Sequence, residues 1–336
     1  MPDVVLLSHG SGGRKSAELV HDVFQKHFSN SFLDEMGDAA VLPVPNSLVS
    51  MTTDSFVVDP LFFPGGDIGK LAVCGTVNDL LASGATPLYL TAAFMIEEGF
   101  PIDDLRRIVL SMAEAAKEAN IIIVAGDTKV APRGAVDSLF ITTTGLGAID
   151  QEASYPQSSA AAEGDCVIIS GTIGDHGMAV MGRREGLTFS SPIQTDCAAL
   201  VDLVFAARAA CPGIKCMRDP TRGGLAAVLN ELAAASGVCI HIDEDSVPVS
   251  PAVQSACDLF GIDPLHVANE GKMVFIVPQE SAEAVLSAIQ SSKYGENAKI
   301  IGRVLASPIA RVHLRTSLGV NRILDMPSGE ILPRIC

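Results

Sequence analysis

Strand-length apolar runs alternate with stretches of helical period along most of the chain, and that alternation restricts it to layered sheets covered by helices, an α/β organisation. In the first half, strands are expected near 48–53, 88–95, 121–125 and 138–147, with helices near 68–83 and 103–119. An earlier helical pattern puts Leu19, Val20, Val23, Phe24 and Phe28 on one face, directly after Gly10-Ser11-Gly12-Gly13. Residues 150–164 are polar, small and without either period, as expected of a connector. Beyond it, strands are expected near 165–170, 238–242, 272–277, 299–304 and 309–315. Helices are expected near 176–185, 196–210, 222–236, 251–260 and 281–291. At roughly 100–200 residues per domain, the length fits about two domains. They are placed at 1–150 and 151–325, followed by a flexible tail, 326–336, which reaches about 35 Å when fully extended.

Composition narrows the function. The 39 Asp+Glu against 23 Lys+Arg give a formal charge of −16. That excess repels a nucleic-acid backbone or an anionic lipid, and no run of four Lys or Arg offers a local exception. Mean hydropathy is +0.35, yet apolar runs such as 121–125 and 166–169 fall far short of the ~18–20 residues needed to span a bilayer. The N-terminus lacks the basic segment of a signal peptide, so a cytoplasmic protein is expected. None of the eight Cys forms a C-x-x-C pair. Seven of them, Cys74 to Cys257, lie in apolar or helical stretches and read as reduced core residues. The eighth is Cys336, in the tail.

Four Asp share a setting, each ending or following an apolar segment beside small residues: Asp38, Asp54, Asp79 and Asp127. Carboxylates brought together repel one another, so their convergence requires a cation such as Mg²⁺, with substrate phosphates completing its shell. Asp79 is the least compatible with a turn or cap, because Leu71, Val73, Val77, Leu80 and Leu81 surround it in a helical stretch. Farther on, Arg218-Asp219-Pro220-Thr221-Arg222-Gly223-Gly224 leads into a helix whose glycine-rich start is suited to an anion. Asn269-Glu270-Gly271 precedes a strand, where a polar side chain can project into a cleft. His176 reads as a capping or surface histidine. No P-loop or dinucleotide fingerprint is present.

The ordered set Gly37-Asp38-Ala39-Ala40-Val41, Thr52-Thr53-Asp54-Ser55, Asn78-Asp79-Leu80 and Ala125-Gly126-Asp127-Thr128, followed by 219–225, resembles the aminoimidazole ribonucleotide synthetase superfamily. That superfamily includes selenophosphate synthetase and thiamine-monophosphate kinase. Within it the chain is similar to the HypE family of carbamoyl dehydratases, on the strength of His9-Gly10-Ser11-Gly12-Gly13-Arg14, the stretch 54–79 and Pro333-Arg334-Ile335-Cys336. The resemblance implies a PurM-like fold: an N-terminal α/β domain whose mixed sheet forms a barrel across a homodimer, and a C-terminal α+β domain. ATP and Mg²⁺ would lie in the cleft between them. Metal–phosphate roles would fall to Asp38, Asp54, Asp79, Asp127 and Asp219. Nucleotide contacts would come from Gly10, Gly12, Gly13, Lys70, Asn78, Thr221, Gly223 and Gly224. Two departures are visible: Ala39 follows Asp38 where the superfamily often doubles the Asp, and the glycine segment lacks the Cys or selenocysteine with Lys expected of a selenophosphate synthetase.

A thiol on an exposed tail keeps a pKa of about 8.5 and can visit several sites, which suits a carried group. The resemblance then implies that the carbamoyltransferase HypF loads the Cys336 sulfur with a carboxamide, and that ATP-dependent dehydration converts it to a thiocyanate. Glu270 is the candidate base and Lys129 the candidate cation near the developing phosphate charge. The cyanide would pass to an iron held by a HypC–HypD scaffold. Two other readings stay open: a kinase or synthetase acting on a small molecule, with Cys336 incidental, and a non-catalytic scaffold.

Overall fold

The computed structural model describes residues 13–19, 40–44, 47–187, 191–329 and 331–336. Most of the helix expected after the glycine segment, together with Gly10, Gly12 and Asp38, lies outside them. A short helix, α1 (Arg14–Leu19), comes first. Five strands then make one sheet: β1 (Ala40–Val44), β2 (Ser47–Phe56), β5 (Thr86–Glu97), β6 (Ile122–Ala131) and β7 (Leu139–Ile149). Their order is β1-β2-β7-β5-β6, antiparallel except where β5 pairs β6 in parallel. A small hairpin, β3 (Phe62–Phe63) with β4 (Gly66–Asp67), leads into α2 (Ile68–Ala82), and α3 (Ile102–Glu118) packs on α2. Asp67 caps α2 by accepting from the Gly69 and Lys70 N–H groups at 2.7 and 3.1 Å.

Seven strands make the second sheet: β8 (Cys166–Ile169), β9 (Cys216–Arg218), β10 (Cys239–Asp243), β11 (Val274–Val277), β12 (Lys299–Leu305), β13 (Arg311–Arg315) and β14 (Asn321–Ile323). They lie in the order β14-β13-β10-β12-β8-β11-β9 and are mixed, β10 pairing β13 in parallel. Helices α4 (Asp175–Arg184), α5 (Val201–Ala210), α6 (Gly224–Ser236), α7 (Pro251–Phe260) and α8 (Ala282–Gln290) accompany this sheet.

One apolar core runs through both halves. It joins Phe56, Leu71, Leu80 and Ile141 to Ile168, Leu203, Phe275 and Ile335. Helix α2 is its axis: 13 of its 15 residues are buried, because it is covered by the first sheet, by α3 and by the second half of the chain. The seven cysteines expected in the core are buried and form no disulfide, four of them, Cys74, Cys166, Cys197 and Cys211, within this core. Among the described residues no helix is long and apolar enough to cross a membrane.

Candidate functional site at the junction of the two sheets

Strand alternation turns Ser50, Thr52, Asp54 and Phe56 of β2 toward α2. Thr52 donates its hydroxyl to Asp79 Oδ2 at 2.7 Å, which answers why a carboxylate sits in an apolar helix. Burial pushes the Asp54 pKa up, against the pull of the Arg222 guanidinium and a hydrogen bond from the Ser55 N–H at 3.1 Å.

From the second half, the turn between β9 and α6 brings in Asp219 and Arg222. Asp219 is buried, and desolvation pushes its pKa up to about 6, with Arg218 and Arg222 opposing and Asp54 adding to the rise. At the start of α6, Gly223 and Gly224 have φ of +79° and +63°. A Cβ on Gly224 would lie 2.7 Å from the Leu265 and Val267 carbonyl oxygens, so only glycine lets the helix end abut 265–267. Asn269 holds this corner together: it accepts from the Gly174 N–H at 2.7 Å and donates to the Pro220 and Val267 carbonyls at 2.9 and 3.0 Å.

Glu270 follows at once, with its N–H given to Asp196 Oδ1 at 3.0 Å. Its carboxyl is fully buried, and Oε1 has no hydrogen-bond partner among the described residues. Burial, then the charges of Asp219, Asp54 and Asp196, push its pKa well above the ordinary value and favour the protonated carboxyl, with Arg222 opposing.

Residues 333–336 dock into this cleft, where the sequence suggested a free tail with an ordinary thiol. Ile335 is buried and Cys336 half-buried. Burial pushes the Cys336 thiol pKa up, with Arg222 opposing. The charge at Cys336 is in turn the largest cause of the raised Arg222 pKa, followed, against burial, by Asp54, Glu270 and Asp79. Docking prevails because every carbonyl of the segment finds a donor: the Val57 and Asp59 N–H groups reach the Cys336 and Arg334 carbonyls at 3.0 and 3.1 Å. His176 is wholly buried rather than at the surface, and its Nε2 lies 2.7 Å from the Ile335 carbonyl.

Other expectations land elsewhere. Asn78 is 1% exposed, and its amide bonds only to main chain: Nδ2 donates to the Ala198 and Glu270 carbonyls at 2.9 and 3.3 Å, and Oδ1 accepts from the Leu200 N–H at 3.0 Å. It clasps the two halves. Asp127 and Lys129 pair with each other at 3.5 Å and are exposed on β6. The register Asp54↔Thr143, Thr143↔Ala92, Ala92↔Gly126 puts Asp127 one residue off the Asp54 row and therefore on the opposite face. Three strand spacings, roughly 14 Å, separate them within one chain. Lys70 donates to the Gly65 carbonyl at 3.3 Å. Thr221 is occupied in a tight turn, its carbonyl accepting from the Gly224 N–H at 2.9 Å. Gly13 is buried against the Pro327 carbonyl, which accepts from the Arg14 N–H at 2.7 Å.

The cleft therefore gathers Asp54, Asp79, Asp219, Arg222, Glu270 and Cys336. Arg222, which the sequence offers only as a cation near an anion-receiving helix start, stands here with Asp54 and Cys336. Among the described residues no three His, Cys, Asp or Glu stand close enough to enclose a metal ion. Asp54, Asp79 and Asp219 offer hard oxygens, and Asp54 raises the Asp219 pKa. Such a set fits a small divalent cation that draws most of its shell from phosphate and water, as Mg²⁺ does.

Two family models match the chain in sequence: the N-terminal domain of AIR synthase related proteins over residues 36–149, and the C-terminal domain of the same proteins over 162–315. Two such domains meeting at a carboxylate-lined cleft define an AIR synthase related protein. The chain is 52% identical over 332 residues to the carbamoyl dehydratase HypE of Rhizobium leguminosarum bv. viciae, across 98% of this chain and 94% of the relative. A crystal structure of a HypE–HypF complex contains a chain 53% identical, with a TM-score of 0.87 over 92% of this chain and 99% of that one. A crystal structure of the hydrogenase maturation protein HypE in complex with ATP is 46% identical, with a TM-score of 0.84 over 99% and 100% of the two chains. The chain belongs to the HypE family of hydrogenase maturation proteins.

Proposed function

We propose that this cleft dehydrates an S-carbamoyl group carried on the Cys336 sulfur to a thiocyanate at the expense of ATP. The observation that carries the reading is the seat of Cys336 among Arg222, Glu270, Asp54 and Asp219, which is where a carried group would meet carboxylates and a cation. The ATP complex of one relative and the HypF complex of another support ATP as co-substrate and HypF as the carbamoyltransferase that loads the thiol.

In this reading the carboxamide oxygen attacks the γ-phosphate, ADP departs, and C–O cleavage releases phosphate while the amide nitrogen loses both protons. One proton leaves with phosphate and the other is taken by the chain. Glu270 is the acceptor: its buried carboxyl must ionise first, and Arg222 is the group that favours ionisation. Arg222 also takes the cationic role expected of Lys129, which lies on the far face of the sheet. Asp54, Asp79 and Asp219 would hold Mg²⁺. Once bound, the ion offsets phosphate charge and orients the in-line transfer. The cyanide product would pass to an iron held by HypC–HypD.

A homodimer through the first sheet belongs to the same reading. Strand β6 is an edge among the described residues, and Ile122, Val124 and Val130 on it are 61%, 54% and 67% exposed. A row of unpaired edge groups flanked by apolar side chains favours a second chain.

The test is the mass of the C-terminal peptide after incubation with the carbamoyltransferase, carbamoyl phosphate and ATP. A carbamoyl adduct that becomes a cyano adduct only with ATP supports the reaction. ATP turnover indifferent to deletion of Cys336 would overturn it and favour a small-molecule kinase.

A further inference from the structure

Helix α4 carries two side chains that the proposed chemistry does not use, and both end on the main chain of the docked segment. His176 lies in the first turn of the helix and Arg184 closes it, roughly 12 Å apart along the axis. We infer that α4 is a rail that sets the position of the Cys336 sulfur, with His176 and Arg184 as positioning residues that grip the carbonyls of Pro333, Arg334 and Ile335. The inference deepens the carrier role proposed above and rests on it.

Four consecutive carbonyls are held. Arg184 donates through Nη1 to the Pro333 oxygen at 2.7 Å and through Nη2 to the Arg334 oxygen at 2.8 Å. Its Nε donates to the Asp59 carbonyl at 2.8 Å, which ties the guanidinium to the strand side of the cleft. His176 Nε2 holds the Ile335 oxygen at 2.7 Å, and the Val57 N–H holds that of Cys336 at 3.0 Å.

The histidine tautomer follows from its neighbours. Nε2 faces the Ile335 carbonyl, which can only accept, and Thr195 Oγ1, which accepts from the Cys197 N–H at 3.0 Å, still has its own proton to offer Nδ1, 2.8 Å away. Nδ1 is thereby the acceptor, and the ring proton sits on Nε2. Phe63 stands edge-on to the ring at 5.4 Å and 90°, fixing its plane.

Because the donors hold carbonyls at successive residues, they fix register. A slip of one residue would take each carbonyl off its donor and, because Arg334 turns the segment at a φ of +47°, would carry the sulfur away from Arg222 and Glu270.

The test uses the full chain with His176→Leu, His176→Gln and Arg184→Ala. Gln keeps an N–H donor near Nε2; Arg184 is only half-buried, so its loss spares the core. Cys336 alkylation by iodoacetamide is followed by mass, then carbamoyl loading, then the single-turnover rate of conversion with ATP. His176→Leu, which loses one buried hydrogen bond, and Arg184→Ala, which loses two more exposed ones to the segment, should each alkylate about tenfold faster and convert about tenfold more slowly. Loading and nucleotide affinity should hold at wild-type levels, and His176→Gln should return toward wild type. Wild-type alkylation and conversion rates in Arg184→Ala overturn the rail, as does a loss of loading parallel to the loss of conversion. If the wild-type chain takes up no carbamoyl group, the carrier role fails, while the alkylation rates still decide the rail.

Discussion

Replacing Asn78 by Ala separates two roles for this residue, ligand contact and clasp between the halves. The substitution deletes three hydrogen bonds, to the Ala198 and Glu270 carbonyls and from the Leu200 N–H. At a net contribution of about 1 kcal/mol each, the loss is about 3 kcal/mol. The side chain is 1% exposed, so water does not reach the abandoned groups, and their desolvation raises the loss toward ~5 kcal/mol. Thermal unfolding followed by circular dichroism should show a midpoint lower by about 6–12 °C for a 3 kcal/mol loss, taking the shift typical of domains of this size. Asn78→Asp keeps the shape but faces two carbonyls with an acceptor, and should be at least as damaging. A loss below about 1 kcal/mol together with a collapse of nucleotide affinity in calorimetry would refute the clasp and restore the contact expected from the motif.

Asp219 gives a pH signature. Its folded pKa of about 6 lies above the ordinary 3.8, so the native state binds the extra proton and stability falls as pH rises between those values. The roughly 2-unit shift corresponds to about 3 kcal/mol, and Asp219→Asn should flatten that slope in urea unfolding measured from pH 4 to 7; an unchanged slope would remove Asp219 as its source. Gly224→Ala meets three backbone atoms at 2.7 Å from a left-handed φ and should lower the unfolding midpoint by more than the ~1–2 kcal/mol of conformational strain alone; a wild-type midpoint contradicts the close approach. Ile122→Glu with Val124→Glu on β6 should shift sedimentation from dimer to monomer, and an unshifted dimer places the interface elsewhere.

What was legible in the sequence is what local periodicity controls. Expected helices at 68–83 and 103–119 appear as Ile68–Ala82 and Ile102–Glu118. The helix expected from 196 begins only at Val201, because the backbone just before it is spent on distant partners. The Thr195 N–H goes to the Pro64 carbonyl, and Ala198 and Leu200 bond to Asn78. Strands β9 and β14, of three residues each, are too short to show a period. In the site, Asp79 was marked by a charge within an apolar helical stretch and Asp54 by its place after an apolar segment, while the metal role of Asp219 came from the resemblance alone. The face of Asp127 depended on register across three strand pairs, which no local pattern encodes. The resting position of 333–336 was not legible because its holds are main-chain carbonyls, a group every residue carries, and nothing local sets Arg184 apart from any cation in a last helical turn.

Burial of α2 on nearly all sides has a kinetic implication. A hinge opening between the halves would have to strip an axial helix of contacts on several faces at once and unfasten Asn78. Such a body behaves as a fixed mould rather than a jaw. Access for successive substrates is then delegated to peripheral segments, and the slow step of a turnover is expected to be the undocking of 333–336 rather than any motion of the sheets.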